Sequence, residues 1–363
     1  MAKVALAHDY LTQRGGAERV VLSMLSAFPG SPLYTSLYEP SLTFEAFADH
    51  DVRTLPLNRL RRLRREHRWS LPLLAPSFSR LHVDADVVLC SSSGWAHGVR
   101  THGRKVVYCH SPGRWLYQRQ RYLRGSPPPV RWAVTALAPS LERWDRAAAA
   151  SADRYVTTSR AVQQRIRDLY GIEASLVPPP HTIDITGAQE PVGGLEPGFV
   201  LCVARLMPYK NVDAVVSAFR HLPEHRLVVV GEGPERRRLE SLLGANTTLL
   251  GVVPDAQVRW LYANCAGLVA ASHEDYGLTP LEAAAFGKPT AALRWGGYLD
   301  TMDEGTTAVF FDRPQPDEVA HAVGTLIDQS WDASVIRAHA RCFDEAAFIA
   351  RLRMVVAEEA QRC

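Results

Sequence analysis

Apolar and polar positions along the chain alternate between two rhythms: short apolar runs ending in Gly, Pro or small polar residues, and stretches with apolar positions three and four apart. The first run, Lys3 to Ala7, leads into a polar loop from His8 to Gly16. Val20, Val21, Met24, Leu25 and Phe28 then recur at helical spacing. Further runs at 85–90, 105–109 and 154–158 lack polar alternation, as parallel strands covered on both faces should. Ser159 caps a predicted helix through Leu169 that closes at Gly171. Periodicity lapses over 177–198, where Pro178, Pro179, Pro180, Gly187, Pro191, Gly193 and Gly194 predict a linker. A second series follows, with strands predicted at 199–204, 226–230, 248–250, 267–271 and 290–293 between helices at about 212–220, 234–243, 255–263 and 280–286. A last amphipathic helix, about 345–360, carries Phe348, Leu352 and Val355 or Val356. Two such series predict an α/β protein of two doubly wound parallel sheets. The expected domains are 1–186 and 187–344, with 345–363 packing back on the N-terminal domain. Ligands of such sheets bind at the carboxyl ends of strands, so the loops there are expected to carry the chemistry.

Composition narrows the class. With 363 residues, 47% hydrophobic and 22% charged, the chain has the make-up of a globular enzyme and not of a disordered or fibrous one. The net charge of +3 hides an asymmetry: residues 1–180 carry 25 Lys and Arg against 14 Asp and Glu, and the remainder 16 against 24. A basic first half suits an anionic partner, or is an Arg-rich composition spread over solvated faces. No stretch has a nucleic-acid-binding signature. The six cysteines are scattered without metal-ligand spacing, as expected of reduced thiols in a cytoplasmic protein. No apolar run reaches a membrane-spanning length, and Met1 to Ala7 is too short for a secretory signal, so neither secretion nor membrane spanning is expected.

Four stretches hold candidate chemistry. Ser272 to Ala283 runs from a strand end through a glycine loop (Gly277, Leu278) into a helix, with Thr279 at the expected N-cap, Pro280 first and Glu282 third. One reading is a capping box in which Glu282 satisfies a backbone N–H. The other is a nucleotide-sugar site: the helix start attracts phosphate while Glu274 and Glu282 accept hydrogen bonds from sugar hydroxyls. Arg205 and Lys210, five residues apart after a strand, suit a diphosphate, or are surface cations. Gly15 and Gly16 allow close backbone approach to a phosphate, or form a plain turn. His110 ends a strand within Tyr108-Cys109-His110-Ser111-Pro112, where it is either structural or part of the site.

The stretch Glu274-Asp275-Tyr276-Gly277-Leu278-Thr279-Pro280-Leu281-Glu282-Ala283, followed by Gly287-Lys288-Pro289 and Gly296-Gly297, resembles the paired-glutamate signature of retaining glycosyltransferases of family 4. The resemblance extends over nearly the whole chain. It implies the GT-B fold, two Rossmann-like domains facing a central cleft. It further implies that Glu274 lies by the donor sugar, that Glu282 grips the ribose, and that Arg205 and Lys210 bind the diphosphate. The Gly15–Gly16 loop would close over diphosphate and acceptor, and His110 would face the sugar and acceptor. Arg114 and Tyr117 are assigned to the acceptor side, Gly231 to the border of the donor site, and Val253 to a corner that holds the base. His8-Asp9-Tyr10 and the His110 stretch are similar to bacterial mannosyltransferases of cell-surface polysaccharide assembly, which points to GDP-mannose as donor. Pro179-Pro180-His181-Thr182 departs from the family's Pro-Pro-Val-Asp.

The expectation is therefore a retaining hexosyltransferase that moves mannose from a nucleoside-diphosphate sugar to a glycan, lipid-linked or small-molecule acceptor. No cofactor is expected, and no metal either, on the reading that the chain has no Asp-x-Asp cluster to hold one. A sugar-nucleotide epimerase or a non-catalytic sugar-nucleotide or polysaccharide binder are the competing readings; missing fingerprint glycines disfavour a nicotinamide dehydrogenase. The Arg-rich segment from Arg59 to Trp69 is either a solvated basic helix or a peripheral contact with the inner face of a membrane.

Overall fold

The computed structural model describes residues 2–65, 70–119, 128–181 and 183–362. They form two compact units, one of residues 1–179 with 345–363 and the other of 180–344. The contact boundary thus falls at Pro179/Pro180, ahead of the expected 186/187.

In the first unit seven parallel strands are ordered β3-β2-β1-β4-β5-β6-β7: β1 Val4–His8, β2 Leu33–Thr35, β3 Val52–Thr54, β4 Val87–Ser92, β5 Arg104–Cys109, β6 Arg154–Thr157 and β7 Ser175–Leu176. The apolar runs are continuous because both faces are covered. Val87 and Leu89 of β4, with Val106 and Tyr108 of β5, join one core, while Val88, Cys90, Val107 and Cys109 join another. Helix Arg160–Tyr170 opens on Ser159, whose hydroxyl accepts from Val162 N, and ends at Gly171 in the left-handed region.

The second unit repeats the plan with six strands ordered β10-β9-β8-β11-β12-β13: β8 Val200–Val203, β9 Leu227–Val230, β10 Thr247–Gly251, β11 Gly267–Ala270, β12 Thr290–Leu293 and β13 Ala308–Phe311. In each sheet the winding reverses once, between β1 and β4 and between β8 and β11. These are the points where loops diverge from neighbouring strand ends and leave a crevice.

The helix Glu345–Ala360 belongs to the first unit. Phe348, Leu352, Val355 and Val356 enter the core beneath β4 and β5, with Phe348 edge-on to Tyr108. Polar clasps set its position: Ser23 Oγ donates to Glu345 (2.6 Å), Arg353 Nε to Ala27 O (2.8 Å), and buried Glu359 pairs with Arg104 (2.7 Å). Phe348→Ala is expected to cost the first unit about 3–5 kcal/mol. Hydrogen exchange checks this: amides of β4 and β5 should lose protection while those of β8 and β11 keep theirs.

Candidate active site

The second unit's crevice is lined by the loops after β8 and β11. Backbone and side chains stitch the two loops together. His273 N donates to Tyr209 O (3.2 Å), Ser272 Oγ to Lys210 O (3.5 Å), and Asn211 Nδ2 to Ala271 O (2.7 Å). Asn211 is the one non-glycine residue with positive φ (52°) among the described residues, a conformation asparagine tolerates better than most. In the sequence it is only the residue after Lys210, with nothing to single it out.

Across this seam the Lys210 ammonium pairs with the Glu274 carboxylate, their side chains only 12% and 19% exposed. Arg205 stands exposed at the end of β8, its guanidinium 3.3 Å from the Tyr209 hydroxyl. Leu206 N, beside it, donates to Glu232 O (2.9 Å) in the loop after β9. Gly231 begins that loop at φ 142°, so close to β8 that a Cβ would overlap the Ala204 carbonyl. Gly296 has φ 55° and would likewise overlap the Glu274 carbonyl, while Gly297 N donates to that oxygen (3.2 Å). The glycine pair after β12 thus clasps the backbone of Glu274.

The helix after β11 spans Leu278–Ala285, with Gly277 as N-cap and no side-chain cap. This corrects the N-cap expected at Thr279, which lies inside the helix, and removes the capping-box reading. Glu282 instead accepts from the Tyr262 hydroxyl (2.7 Å). Burial, together with the Glu282 charge, pushes the Tyr262 phenol well above its usual pKa and keeps it a donor. Val253 is partly buried against the core after β10, beside exposed Val252.

In the first unit the register aligns His8 of β1 with Ser91 of β4, and Ser91 with Tyr108 of β5. His110, two residues beyond Tyr108, completes the row: its Nε2 lies 2.8 Å from Ser91 Oγ, and His8 Nδ1 lies 3.0 Å from the same oxygen. Gly15 is the extended N-cap of helix Gly16–Ala27, which carries buried Glu18 to 3.9 Å from His8 Nε2. The neighbouring Ser92 serves the opposite face, where it meets His97 (2.9 Å). Arg114 and Tyr117 bound a short helix after β5. The Tyr117 hydroxyl donates to buried Asp145 (2.7 Å), which Tyr170 also contacts (2.6 Å).

Two further expectations meet the structure differently. The Asp-x-Asp spacing does occur, at Asp49-His50-Asp51 and Asp84-Ala85-Asp86, but directly before β3 and β4, at the amino ends of these strands. There Asp51 pairs with Arg53 (2.7 Å), and Asp84 and Asp86 hold Lys3 (2.9 and 2.7 Å). In the Arg-rich segment Arg59, Leu60, Arg61, Arg62 and Arg65 are exposed, whereas Arg64 binds Glu39 (3.0 Å). Residues 66–69 of that segment, and Thr182 of the 179–182 stretch, lie outside the described residues. No described helix is long and apolar enough to cross a membrane.

Burial and the nearby His8 charge lower the His110 pKa to about 3, while Glu18 raises that of His8 against its own burial. As pH falls below about 6.5 the unfolded chain protonates His110 and the native one does not. Stability should therefore drop by about 1 kcal/mol per pH unit toward pH 3. The His8 contribution has the opposite sign and is complete below about 6.5. Denaturation midpoints at pH 7 and pH 5 are expected to lie closer together in His110→Gln than in the wild type.

Comparison with known proteins gives this geometry a family. Residues 14–184 match the model for Glycosyltransferase Family 4, and residues 189–342 that for Glycosyl transferases group 1. A D-inositol 3-phosphate glycosyltransferase of Acidothermus cellulolyticus is 32% identical over 226 residues, 53% of this chain and 50% of that one. A GDP-mannose-dependent alpha-(1-6)-phosphatidylinositol dimannoside mannosyltransferase of Mycobacterium tuberculosis is 32% identical over 123 residues, 33% of this chain and 32% of that one. The matches thus span half or less of these relatives' length. Anabaena HepE in complex with UDP-glucose shares the fold, with a TM-score of 0.71 at 17% identity over 99% of this chain and 100% of its own. With adjoining family models over its two units and this double parallel-sheet architecture, the chain belongs to glycosyltransferase family 4 and has the GT-B fold.

Proposed function

We propose that the chain transfers a hexosyl group, mannose first among the candidates, with retention of anomeric configuration, from a nucleoside diphosphate to a hydroxyl of a glycan, lipid-linked or small-molecule acceptor. The observation that carries this reading is the Lys210–Glu274 pair at the β8/β11 crevice, with Arg205 exposed beside it. A diphosphate is a stronger partner for an ammonium than one carboxylate is. Its arrival draws Lys210 away and leaves the Glu274 oxygens as acceptors for sugar hydroxyls. Arg205 supplies a planar fork to the same phosphates, so positive charge stands where the leaving group becomes more negative. Glu282, oriented by Tyr262, suits a ribose diol.

The donor assignment draws on the Mycobacterium tuberculosis relative, whose name specifies GDP-mannose, and retention on the paired-glutamate signature. His110 lies toward the sugar and acceptor in this reading. The departing phosphate takes the acceptor's proton in a front-face attack, which needs no protein nucleophile and no metal. Exposed Arg59, Arg61, Arg62 and Arg65 around Leu60 favour peripheral attachment to an anionic lipid surface, which suits a lipid-linked acceptor and a cytoplasmic site of action.

A thermal-shift series tests the donor. GDP-mannose at one hundred times its Kd should stabilise the second unit by about 2.7 kcal/mol, and more than UDP-, ADP- or dTDP-sugars at equal concentration. Lys210→Ala is expected to abolish the shift. Glu274→Gln should bind donor yet lower kcat by about 10²–10³. Indifference of the wild type to all four donors would overturn the proposal. For the surface contact, sedimentation with phosphatidylserine vesicles should fall steeply with salt, and fall further when Arg61 and Arg62 are replaced by Gln.

A further inference from the structure

Hydrogen-bond logic at the ends of β1, β4 and β5 determines more than the position of His110. His8 Nδ1 lies 3.2 Å from the Ser91 carbonyl oxygen and 3.0 Å from Ser91 Oγ. A carbonyl only accepts, so His8 Nδ1 carries a proton, whether the ring is neutral or charged. Ser91 Oγ shares that proton and acts as an acceptor toward His8. Its own hydrogen is then available to His110 Nε2, 2.8 Å away. A nitrogen that accepts there holds no proton, which leaves the proton of the neutral imidazole on Nδ1.

We infer that His8 and Ser91 form a buried relay that locks His110 as the Nδ1–H tautomer, so that His110 meets its substrate as a hydrogen-bond donor and not as a base. This rests on the reading that places His110 at the sugar and acceptor. Ser91 and His8 are positioning residues, 1% and 2% exposed, and act only through His110. Glu18, also 1% exposed, stands 3.9 Å from His8 Nε2 through the same carboxylate oxygen that accepts from Gln13 Nε2 at 3.0 Å. The groups around His110 from each packed element are His8 on β1, Glu18 on the following helix, Ser91 on β4 and the Tyr108 ring on β5, 5.1 Å away. The lowered His110 pKa, set by burial and the nearby His8 charge, agrees with a ring whose Nε2 lone pair is already engaged.

A donor at this place recognises a lone pair, such as a hydroxyl oxygen of the substrate offers. It removes no proton from the acceptor hydroxyl, which leaves that task to the departing phosphate. The sequence could not reveal Ser91. It lies in Cys90-Ser91-Ser92-Ser93, and only the register decides which hydroxyl shares a face with His110.

The test pairs a substrate-free measurement with kinetics on the full chain. Nitrogen-15 chemical shifts of labelled histidines should show His110 neutral with its proton on Nδ1 from pH 8 to pH 5. In Ser91→Ala the ring should shift toward the other tautomer, with kcat about tenfold lower and the donor KM unchanged. Ser91→Thr retains the hydroxyl and should restore both, which separates lost positioning from misfolding. Finding the proton on Nε2 in the wild type, or an imidazolium at neutral pH, overturns the inference. So does a Ser91→Ala variant with unchanged shifts and unchanged kcat. A locked Nδ1–H tautomer in a wild type that turns over no nucleotide sugar supports the relay and overturns the proposed function instead.

Discussion

A parallel sheet covered on both faces has no water at its centre, so polar chemistry is confined to the ends of its strands. The reversal of winding between β8 and β11 sends the two adjacent loops apart and leaves their peptide groups in need of partners. Everything distinctive in the second unit answers that constraint. Asn211 accepts a left-handed backbone to bond Ala271, and Gly297 donates to the Glu274 carbonyl. Lys210 and Glu274 neutralise each other where neither is fully hydrated. In this way the two loops satisfy strand ends that the sheet itself leaves without partners.

The central strands were legible because burial on both faces leaves unbroken apolar runs: β4, β5, β8, β9, β11 and β12 all fall within a residue or two of where the pattern puts them. The shortest strands were not. β2, β3 and β7 have two or three residues each, too few for a periodicity, and β3 is polar (Val52-Arg53-Thr54) because little covers it. Helices Pro128–Ala150 and Leu71–Arg80 were missed for another reason: each contains a proline, Pro139 and Pro76, that reads as punctuation in the sequence.

The candidate site was legible as residue types on loops, and its wiring was not. Arg205, Lys210, Glu274 and Glu282 stand out because charge follows directly on buried strands. That Lys210 meets Glu274 and that Tyr262 serves Glu282 depends on strand order and helix placement, which no local spacing encodes. The capping-box pattern at Thr279 to Glu282 fails for the same reason. Gly277, at φ 85°, caps a helix that starts at Leu278, two residues ahead of the expected Pro280, and Glu282 finds a tertiary partner in Tyr262. The two Asp-x-Asp triplets show the converse, a chemically suggestive spacing placed at the wrong ends of strands and spent on Lys3 and Arg53.

Adjacent serines on β4 make the final point about what turns a polar residue into chemistry. Ser92, His97 and Asp145 have the composition of a nucleophilic triad, with Ser92 Oγ 2.9 Å from His97 Nδ1 and His97 Nε2 3.1 Å from Asp145. All three are at most 3% exposed, and Ser92 Oγ already accepts from the backbone N–H groups of Gly94 and Trp95. That hydroxyl ends a strand; no substrate carbonyl reaches it. Ser91, one residue away, faces the other side and meets two imidazoles, of which His110 is only partly buried and lies at the end of β5. Residue type is the same at both positions. The alternation of a β-strand turns one serine toward His97 and the other toward His8 and His110, and so decides which polar network each one joins.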